Sequence, residues 1–330
     1  MLVKNLPPII FFLMTFFAFG QGEQFITVKK SFTAMGSDFD ITVVSLEEEL
    51  GYIYIQEAFA EIQRIEKLIS SWDPNSETSK INANAGIRPV AVSWELFKLI
   101  ERAIQISELT NGAFDISYTA LENLWKFDGS MTQMPSKLAI KEAALKIGYK
   151  NIRLNSKDQT VYLAKKGMRI SFGGIGKGYA ADKAKALLVS KQVQGGIINV
   201  GGDITTWGTK ATGEKWLIGI LNPEGQEGLF SWLPILESSV ATSGGNADFM
   251  VVNGKKYAHV LDPRTGYPSA GIQSVSVFAK SAELSDALAT SIFVMGVNAG
   301  LALINQLGDT EVIIVDEHDK MYKSNGIILN

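Results

Sequence analysis

The order of secondary-structure signals along the 330 residues predicts an α+β fold, with mixed helices and a largely antiparallel sheet. Amphipathic helix patterns cluster in the first half of the chain, and short strand patterns fill most of the second half. No internal repeat, low-complexity linker or Pro/Ser-rich break divides the chain. A doubly wound sheet would need strands and helices in alternation, so the sequence favours α+β over that class.

The first half is expected to begin with a strand pair over residues 25–44, interrupted at residues 34–37. Isoleucine and phenylalanine then recur at helical spacing, and Pro74 ends that helix. Ser93 is a good cap for a second helix, and Asn111-Gly112 stops it. The predicted helices cover residues 53–72, 93–109 and 135–148. Short strands are predicted at residues 152–154, 161–164 and 168–171.

The stretch from Gly173 to Asp182 follows the last of these strands. It has four glycines in six positions and then a helical pattern. A strand, a glycine turn and a helix N-terminus together form the usual cradle for phosphate, because the first N–H groups of a helix are unpaired. Lys177 adds a positive charge at the helix entry. A tight turn with one solvated lysine is the alternative that this stretch alone leaves open.

Two familiar phosphate-binding motifs can be compared with this stretch. The P-loop is excluded, because Ser171 stands where glycine is required and Gly178 follows the lysine where Ser or Thr is required. The dinucleotide fingerprint Gly-x-Gly-x-x-Ala fits Gly176, Gly178 and Ala181, with Asp203 about 20 residues further on. That match is weak without support from the rest of the chain.

The second half is predicted to consist mainly of strands. The run Val251-Val252-Asn253-Gly254-Lys255-Lys256-Tyr257 is the strongest hairpin signal in the chain and predicts an Asn-Gly type I′ turn. Strands are predicted at residues 196–200, 216–220, 229–236, 275–278 and 312–315, and helices at residues 283–295 and 299–307.

The composition excludes several classes of function. The chain is 46% hydrophobic and 20% charged, which is ordinary for a globular protein with a substantial core. Its net charge of −3 gives no basic excess, so nucleic acid is not expected as a partner. There is no cysteine, which leaves any metal site to oxygen or histidine ligands.

Residues 1–20 have the composition of a secretory signal peptide. A lysine precedes a short apolar run, and Ala18 and Gly20 lie at positions −3 and −1 of a cut before Gln21. We therefore expect an exported protein, periplasmic or in the cell envelope, whose mature domain covers residues 21–330. An uncleaved N-terminal anchor in the cytoplasmic membrane is the alternative.

Three side chains in the second half are candidates for chemistry. Asp286 and Thr290 are one helical turn apart, so their oxygens face the same way and suit a hard cation such as Mg²⁺. The plainer interpretation is that Asp286 is an acid favourably placed near a helix N-terminus and that the Thr290 hydroxyl bonds back to its own helix. His259 precedes an Asp-Pro-Arg-Thr-Gly turn and suits a proton acceptor near neutral pH, or it is a half-exposed hairpin residue. His318 is assigned no role.

Taken together, these segments resemble the FAD:protein FMN transferases, also known as the ApbE or flavin-trafficking family. The resemblance runs from about Thr33 to about Gly308, with the family's motifs in the family's order. The matching segments are Ala34-Met35-Gly36-Ser37, Ser71-Trp72-Asp73-Pro74, Ser79-Lys80-Ile81-Asn82, Gly112-Ala113-Phe114-Asp115, residues 174–182, Asn199-Val200-Gly201-Gly202-Asp203, Ala241-Thr242-Ser243-Gly244, residues 259–266 and Asp286-Ala287-Leu288-Ala289-Thr290. Within this family Asp203 belongs to a motif of its own, so the dinucleotide interpretation is dropped.

The resemblance implies one bilobal domain with the active site in its cleft. It implies that Mg²⁺ is held by Asp286, Thr290 and the carbonyl of Gly174, and that His259 is the base for the acceptor hydroxyl. The FAD site implied by the family comprises Met35, Trp72, Ala113, Phe114, Asp115, Ser171, Lys177 and Val260. Two positions depart from the family pattern: tyrosine is usual where Trp72 stands, and aspartate is frequent where Ser171 stands.

The activity implied by the family is Mg²⁺-dependent transfer of FMN from FAD to a threonine of an acceptor flavoprotein, with release of AMP. The expected acceptor is a subunit of a membrane redox complex with an FMN-binding domain, and its modified peptide is expected to be short and to end in Ala-Thr. Two alternatives remain open at this point. One is an FAD pyrophosphatase that yields FMN and AMP, and the other is a carrier that binds FAD without turning it over.

Overall fold

The computed structural model describes residues 24–221, 229–235, 237–244, 249–252 and 254–328. The helices are α1 (Glu48–Ile69), α2 (Glu77–Ala83), α3 (Trp94–Leu109), α4 (Lys137–Ala144), α5 (Gly176–Ser190), α6 (Ala282–Met295) and α7 (Val297–Ile304). The strands are β1 (Ile26–Ala34), β2 (Ser37–Ser45), β3 (Val90–Ala91), β4 (Ile152–Asn155), β5 (Thr160–Leu163), β6 (Gly195–Val200), β7 (Asp203–Trp207), β8 (Trp216–Leu221), β9 (Leu229–Ile235), β10 (Ser239–Gly244), β11 (Phe249–Val252), β12 (Lys255–Ala258), β13 (Ile272–Ala279), β14 (Glu311–Asp316) and β15 (Met321–Lys323).

The centre of the fold is an eight-stranded sheet in the order β1-β2-β6-β7-β10-β13-β14-β15. Every pairing described in this sheet is antiparallel. The α+β class predicted from the sequence is therefore confirmed. Side chains alternate between the two faces along each strand. On β13, for example, Val275 and Val277 face the helices, whereas Phe278 packs on the opposite side.

Helices α1, α5 and α6 cover one face of the sheet, which we call the helix face. The apolar stripe of α1 is completely buried there, with Ile55, Ile62 and Ile65 at 0% exposure. Burial of one such side chain stabilises the fold by about 1.5–3 kcal/mol relative to leaving it exposed. Helix α1 begins at Glu48, five residues earlier than predicted, and ends at Ile69 before the predicted Pro74 turn.

The opposite face, which we call the far face, is covered in part by the β8–β9 hairpin. Trp216 and Ile218 of β8 are buried against Val240 and Phe278 of the sheet. A second hairpin, β11–β12, turns at Gly254, whose positive φ of 75° fits the predicted type I′ turn. Asn253, the other residue of that turn, lies outside the described residues.

Residues 168–171 are not a strand, and that prediction is wrong. Ile170 is hydrogen-bonded by a side chain instead of a neighbouring strand: its N–H donates to Asn82 Oδ1 at 2.8 Å and its carbonyl accepts from Asn82 Nδ2 at 3.0 Å. The Ser171 N–H donates to the carbonyl of Ile116. The apolar residues that suggested a strand here are explained by burial of the segment, since Met168 and Ile170 are both at 0% exposure.

The predicted signal peptide lies outside the described residues, so the boundary at Gln21 stays a prediction. Among the helices of the described part of the chain, none has the length and apolar character that a membrane span requires.

Candidate functional site

One large cavity, of about 900 Å³, lies where the N-terminus of α5 meets α6 and the end of β10. That volume is at the upper end of the range for pockets that bind cofactors and other small molecules. Its lining brings together most of the side chains singled out from the sequence: Ala113, Phe114, Asp115, Ser171, Gly174, Lys177, His259, Val260, Asp286 and Thr290.

The glycine turn packs tightly against its surroundings. Added to Gly173, a Cβ would lie 2.6 Å from the Tyr118 hydroxyl, and added to Gly174 it would lie 3.0 Å from Thr290 Oγ1. The N–H groups of Ile175 and Gly176 both donate to the carbonyl of Phe172, which closes the turn before α5 begins. Glycine is thus required because the backbone itself forms this wall of the cavity.

Helix α5 fixes the position of α6. A Cβ on Gly178 would lie 2.2 Å from the carbonyl oxygen of Ala282, so the two helices approach backbone to backbone. The N–H of Gly178 donates to Asp286 Oδ2 at 3.1 Å. One turn further on, the Asp182 carboxylate accepts from the N–H groups of Ala282 and Glu283 at 3.0 and 2.9 Å and caps α6. The glycine stretch therefore forms a wall of the cavity and also holds the helix that carries Asp286.

Three charged groups meet in the buried part of the cavity. Lys177 Nζ is 3.2 Å from Asp203 Oδ2, and the Asp203 side chain is 4% exposed. Burial raises the pKa of Asp286 well above its usual range, and repulsion from Asp203 raises it further, against the opposing effect of Lys177. Burial likewise raises the pKa of Asp203. Burial alone would lower the pKa of Lys177, but the two carboxylates outweigh it and the net shift is upward.

These charges fit a bound cation. Two buried carboxylates face one ammonium group, so a further positive charge would relieve their repulsion. The oxygens available to a cation are those of the Asp286 carboxylate, the Thr290 hydroxyl one helical turn later and the Gly174 carbonyl. Gly174 packs against the Thr290 hydroxyl. The described residues contain no cluster of three or more His, Cys, Asp and Glu side chains. One carboxylate with neutral oxygens, completed by ligand phosphates, is the donor set typical of Mg²⁺.

Another part of the cavity lining is built by the segment from Ala113 to Asp115. The Asp115 carboxylate accepts from the Ser117 hydroxyl at 2.6 Å, from the Ser117 N–H at 2.8 Å and from the Tyr149 N–H at 2.6 Å. Burial raises the pKa of Asp115, and these hydrogen bonds act in the opposite direction. Asp115 therefore stabilises the loop that shapes the wall.

His259 lies at the cavity edge, directly after β12. Its side chain is exposed, and its ring meets Phe127 edge-on, with 6.5 Å between ring centroids. The following turn is rigid, because the Arg264 guanidinium donates two hydrogen bonds to the Asp262 carboxylate, at 2.9 and 3.0 Å, and the Arg264 N–H donates a third, at 2.9 Å. A rigid turn next to an exposed imidazole is suitable for presenting a base to a large substrate.

Two residues of the predicted FAD site lie outside the cavity lining. Trp72 is 80% exposed, in the turn after α1. The N–H of Met35 donates to Glu66 Oε1 at 2.8 Å. The Met35 methyl group approaches Gly176, where an added Cβ would be 3.6 Å away. The fold thus brings Met35 next to the glycine turn and leaves Trp72 at the surface.

Several lining residues were not assigned to the site from the sequence. Asp203 was recognised as part of a motif, but only the fold brings it to Lys177. Tyr118 is half-buried, and desolvation of its hydroxyl, followed by the nearby Glu122 carboxylate, raises its pKa above the usual range. The Tyr118 hydroxyl lies next to Ser171 and Gly173. A tyrosine inside an aromatic segment gave no signal, because Ser171 and Gly173, which its hydroxyl meets in the cavity, are distant from it in the sequence.

The fold and the site define an α+β protein with one cavity in which a helix N-terminus, a lysine and two buried carboxylates lie together. Comparison with known proteins then identifies the family. The model of the ApbE family matches residues 35–314, and the chain belongs to this family.

Individual relatives agree with this assignment. An FAD:protein FMN transferase of Treponema pallidum is 31% identical over 289 residues, which is 83% of this chain and 80% of the relative. The crystal structure of an ApbE protein from Thermotoga maritima superposes with a TM-score of 0.83 at 32% identity, over 91% of this chain and 97% of that one. A flavin transferase ApbE from Vibrio cholerae gives a TM-score of 0.81 at 25% identity, over 91% and 98% of the two chains.

Proposed function

We propose that this chain is a transferase that moves FMN from FAD to a threonine hydroxyl of an acceptor flavoprotein, with Mg²⁺ as the cation and AMP as the product released. The observation that carries the proposal is the convergence of three features in one cavity: the N-terminus of α5, the Lys177–Asp203–Asp286 cluster and His259. Membership of the ApbE family and the activity named for the Treponema pallidum relative support it.

In this proposal the pyrophosphate of FAD lies at the glycine turn. The positive end of the α5 dipole would face the phosphate oxygens, and Lys177 adds a full positive charge. Asp203 pairs with Lys177 and thereby holds its ammonium group at the turn. Ala113, Phe114, Asp115, Ser171 and Val260 line the rest of the FAD site, and Met35 and Trp72 would contact the ligand from its outer side.

The cation would be held by Asp286, Thr290 and the carbonyl of Gly174. When bound there, Mg²⁺ neutralises negative charge on the phosphate oxygens. The chain orients these oxygens before any ligand arrives, because Gly178 bonds Asp286 and Ser243 Oγ lies 3.5 Å from Thr290 Oγ1. Groups that are already in position need little rearrangement during the reaction. Such positioning and electrostatic stabilisation supply most of the rate enhancement in phosphoryl transfer.

In the chemical step the threonine oxygen of the acceptor attacks the phosphorus on the FMN side. The new oxygen–phosphorus bond replaces the bond to AMP, and the hydroxyl proton passes to His259. Because His259 is exposed, its imidazole is accessible to a hydroxyl carried by another protein.

The test is to incubate the purified protein with FAD and Mg²⁺, with and without the FMN-binding domain of an acceptor. Mass spectrometry is expected to detect the added mass of FMN on one threonine, dependent on the protein and on Mg²⁺. Unmodified acceptor together with steady cleavage of FAD would indicate a pyrophosphatase. Unmodified acceptor together with intact FAD would indicate a carrier.

We further propose that the protein acts outside the cytoplasm, because residues 1–20 resemble a signal peptide. N-terminal sequencing of the exported protein is expected to begin near Gln21, whereas a start at Met1 would indicate an anchor. The flavoprotein acceptor would then be a subunit of a membrane redox complex whose modified domain faces the same side.

A further inference from the structure

Positive charge is distributed unevenly along the chain. Residues 126–169 contain ten Lys and Arg and three Asp and Glu, a net charge of +7, although the whole chain has a net charge of −3. The rest of the chain therefore has a net charge of −10. This basic segment comprises α4, β4, β5 and the turns that connect them. All of its residues are described and none of them lines the large cavity, so the FAD and cation sites proposed above give it no role.

Helix α4 has an apolar stripe on its outer side as well as on its inner side. The inner side packs in the core through Ile140 and Ala143. On the outer side, Leu138 and Leu145 are seven residues apart, which is nearly two turns at about 3.6 residues per turn, so they lie one above the other. They are 66% and 63% exposed. These two leucines contribute little to the packing of the described chain, because the helix is already held by its inner side.

Lysines flank the two exposed leucines. By their positions on the helix, Lys137 and Lys141 lie on one side of the leucine stripe and Lys146 lies on the other. All three lysines are exposed. Glu142 is the one acidic residue of α4. The outer side of α4 therefore combines an apolar centre with a basic border.

The turn at residues 165–167 extends this basic border. Lys165 Nζ donates to the carbonyls of Leu145 and Ile147 at 2.7 and 3.1 Å, which fixes the turn to the C-terminal end of α4. A Cβ on Gly167 would lie 3.6 Å from the Lys146 side chain. The turn and the helix thus form one continuous surface.

A third exposed aliphatic side chain lies beside the same turn. A Cβ on Gly86 would lie 2.7 Å from the backbone nitrogen of Lys166, so these two segments are in contact. The next residue, Ile87, is 70% exposed, and Lys166 and Arg88 are exposed as well. We call the outer side of α4, the turn at residues 165–167 and Ile87 together the basic face.

The composition of the basic face favours a lipid surface over a protein as its partner. Lysine is depleted in protein–protein interfaces, which prefer arginine and aromatic residues. Leucine is under-represented among the residues that dominate protein binding. Aliphatic side chains among lysines are typical of helices that lie on membranes, where lysine stems cover apolar surface and their ammonium groups stay in the polar layer. The negative charge of the rest of the chain would turn the basic face toward an anionic surface.

We propose that the basic face docks the protein on a bilayer that contains anionic phospholipid. Leu138 and Leu145 enter the headgroup region, and the surrounding lysines bind lipid phosphates. The inference is independent of the proposed function, because no residue of the basic face belongs to the FAD or cation site. Helix α4 also supports the turn after His259, since a Cβ on Gly266 would lie 2.8 Å from the Ile140 side chain. Docking would therefore hold the His259 edge of the cavity near the bilayer.

The absence of cysteine allows a fluorophore to be placed on the basic face alone. Leu145→Cys is labelled with nitrobenzoxadiazole, whose emission shifts to the blue in lipid. Val189→Cys is the matched control, at an exposed position of α5. The probes are vesicles of phosphatidylcholine, with or without phosphatidylglycerol. We expect a blue shift at residue 145 only with phosphatidylglycerol, reversed by high salt, and no shift at residue 189. No shift at residue 145, or an equal shift at residue 189, would overturn the proposal.

Co-sedimentation with the same vesicles measures the contribution of the lysines. The test variant replaces three lysines of the basic face by glutamine: Lys137→Gln, Lys141→Gln and Lys146→Gln. The control replaces three exposed lysines elsewhere and changes the net charge equally: Lys30→Gln, Lys67→Gln and Lys320→Gln. The proteins begin at Gln21, the start expected after export, so that the apolar run of residues 1–20 does not mask the effect. We expect partitioning to fall about 10²-fold in the test variant, because each lysine near an anionic surface contributes about fivefold. An equal fall in the control would show that net charge alone is responsible and would overturn the proposal.

The double variant Leu138→Gln/Leu145→Gln measures the contribution of the leucines. Glutamine has a helix propensity similar to that of leucine, and both positions are exposed, so thermal unfolding by circular dichroism should be unchanged. We expect partitioning onto the anionic vesicles to fall at least about tenfold. Full partitioning would overturn the proposal. If the variant instead loses FMN transfer to an acceptor domain without vesicles, or loses self-association of the unmodified protein, the basic face binds a protein and the proposal is wrong.

Discussion

Gly178→Ala tests whether the close contact between α5 and α6 positions the site. The new Cβ would lie 2.2 Å from the carbonyl oxygen of Ala282 and 2.9 Å from the N–H nitrogen of Glu283. Both neighbours are backbone atoms, so a rotamer change cannot relieve the clash and the helices must move apart. That movement also lengthens the 3.1 Å hydrogen bond from the Gly178 N–H to Asp286.

The expected loss of stability follows from three contributions. Overpacking a well-packed contact costs about 1–3 kcal/mol. A weakened hydrogen bond to a carboxylate costs up to about 1.5–3 kcal/mol, and the burial that raises the pKa of Asp286 reduces this contribution. Alanine recovers about 1 kcal/mol of helix propensity. We expect a net decrease of about 2 kcal/mol in the free energy of unfolding.

The effect on activity should exceed the effect on stability. A shift of α6 by a fraction of an ångström moves Asp286 and Thr290 relative to Gly174. Misplacement of about 1 Å costs about 10²-fold in rate, so we expect FMN transfer at 25 °C to fall by at least about tenfold while the protein remains folded. Thermal unfolding by circular dichroism and the mass-spectrometric transfer assay measure the two effects separately.

Gly308→Ala is the matched control for this substitution. A Cβ at Gly308 meets nothing within 4 Å, and its φ lies outside the left-handed region. Both unfolding and transfer are expected to be unchanged. Normal stability and normal transfer in Gly178→Ala would refute the conclusion that this contact positions the site.

Three further predictions concern single side chains. Asp286→Ala should abolish Mg²⁺-dependent transfer while the metal-free protein stays folded, because burial and repulsion from Asp203 offset much of what the hydrogen bond from Gly178 contributes. Circular dichroism that showed an unfolded variant, or near-normal Mg²⁺-dependent transfer, would contradict this. His259→Ala should reduce the transfer rate about 10²–10⁴-fold with little change in FAD affinity, and an equal loss of both would argue against a general base. Arg64 lowers the pKa of Glu95 from 4.5 to about 2, so the stabilisation from this pair is complete above about pH 4.5 and is lost as the pH falls toward 2. Glu95→Gln should therefore cost about 1 kcal/mol in urea unfolding at pH 7 and almost nothing near pH 2, and a cost independent of pH would exclude this ion pair as its source.

Local patterns in the sequence were sufficient for most of the helices and hairpins. Ser93 was expected to cap a helix, and its hydroxyl accepts from the Leu96 N–H at 3.3 Å at the start of α3. The break in the first strand pair is confirmed at residues 35–36, where Met35 and Gly36 both have positive φ. Caps and tight turns depend on neighbours within a few residues, so the sequence contains their cause directly.

The glycine stretch was also interpretable as a sequence, because a turn before a helix N-terminus is a local structure. Its second role, which is to hold α6 in place, was not visible from the sequence. The contacts of Gly178 with Ala282 and of Asp182 with Glu283 join residues about a hundred positions apart. A spacing of that size has no periodic signature, so only the packed helices reveal why these residue types are needed.

Strand neighbours and long-range electrostatics were decided by the tertiary structure alone. Residues 168–171 have the pattern of a strand, yet the Asn82 side chain takes the place of a partner strand. Lys177 and Asp203 became an ion pair only when β7 was placed beside the start of α5. Which residues of β10 face the cavity depends on its register against β7 and β13, and register is a property of the assembled sheet that no single strand encodes.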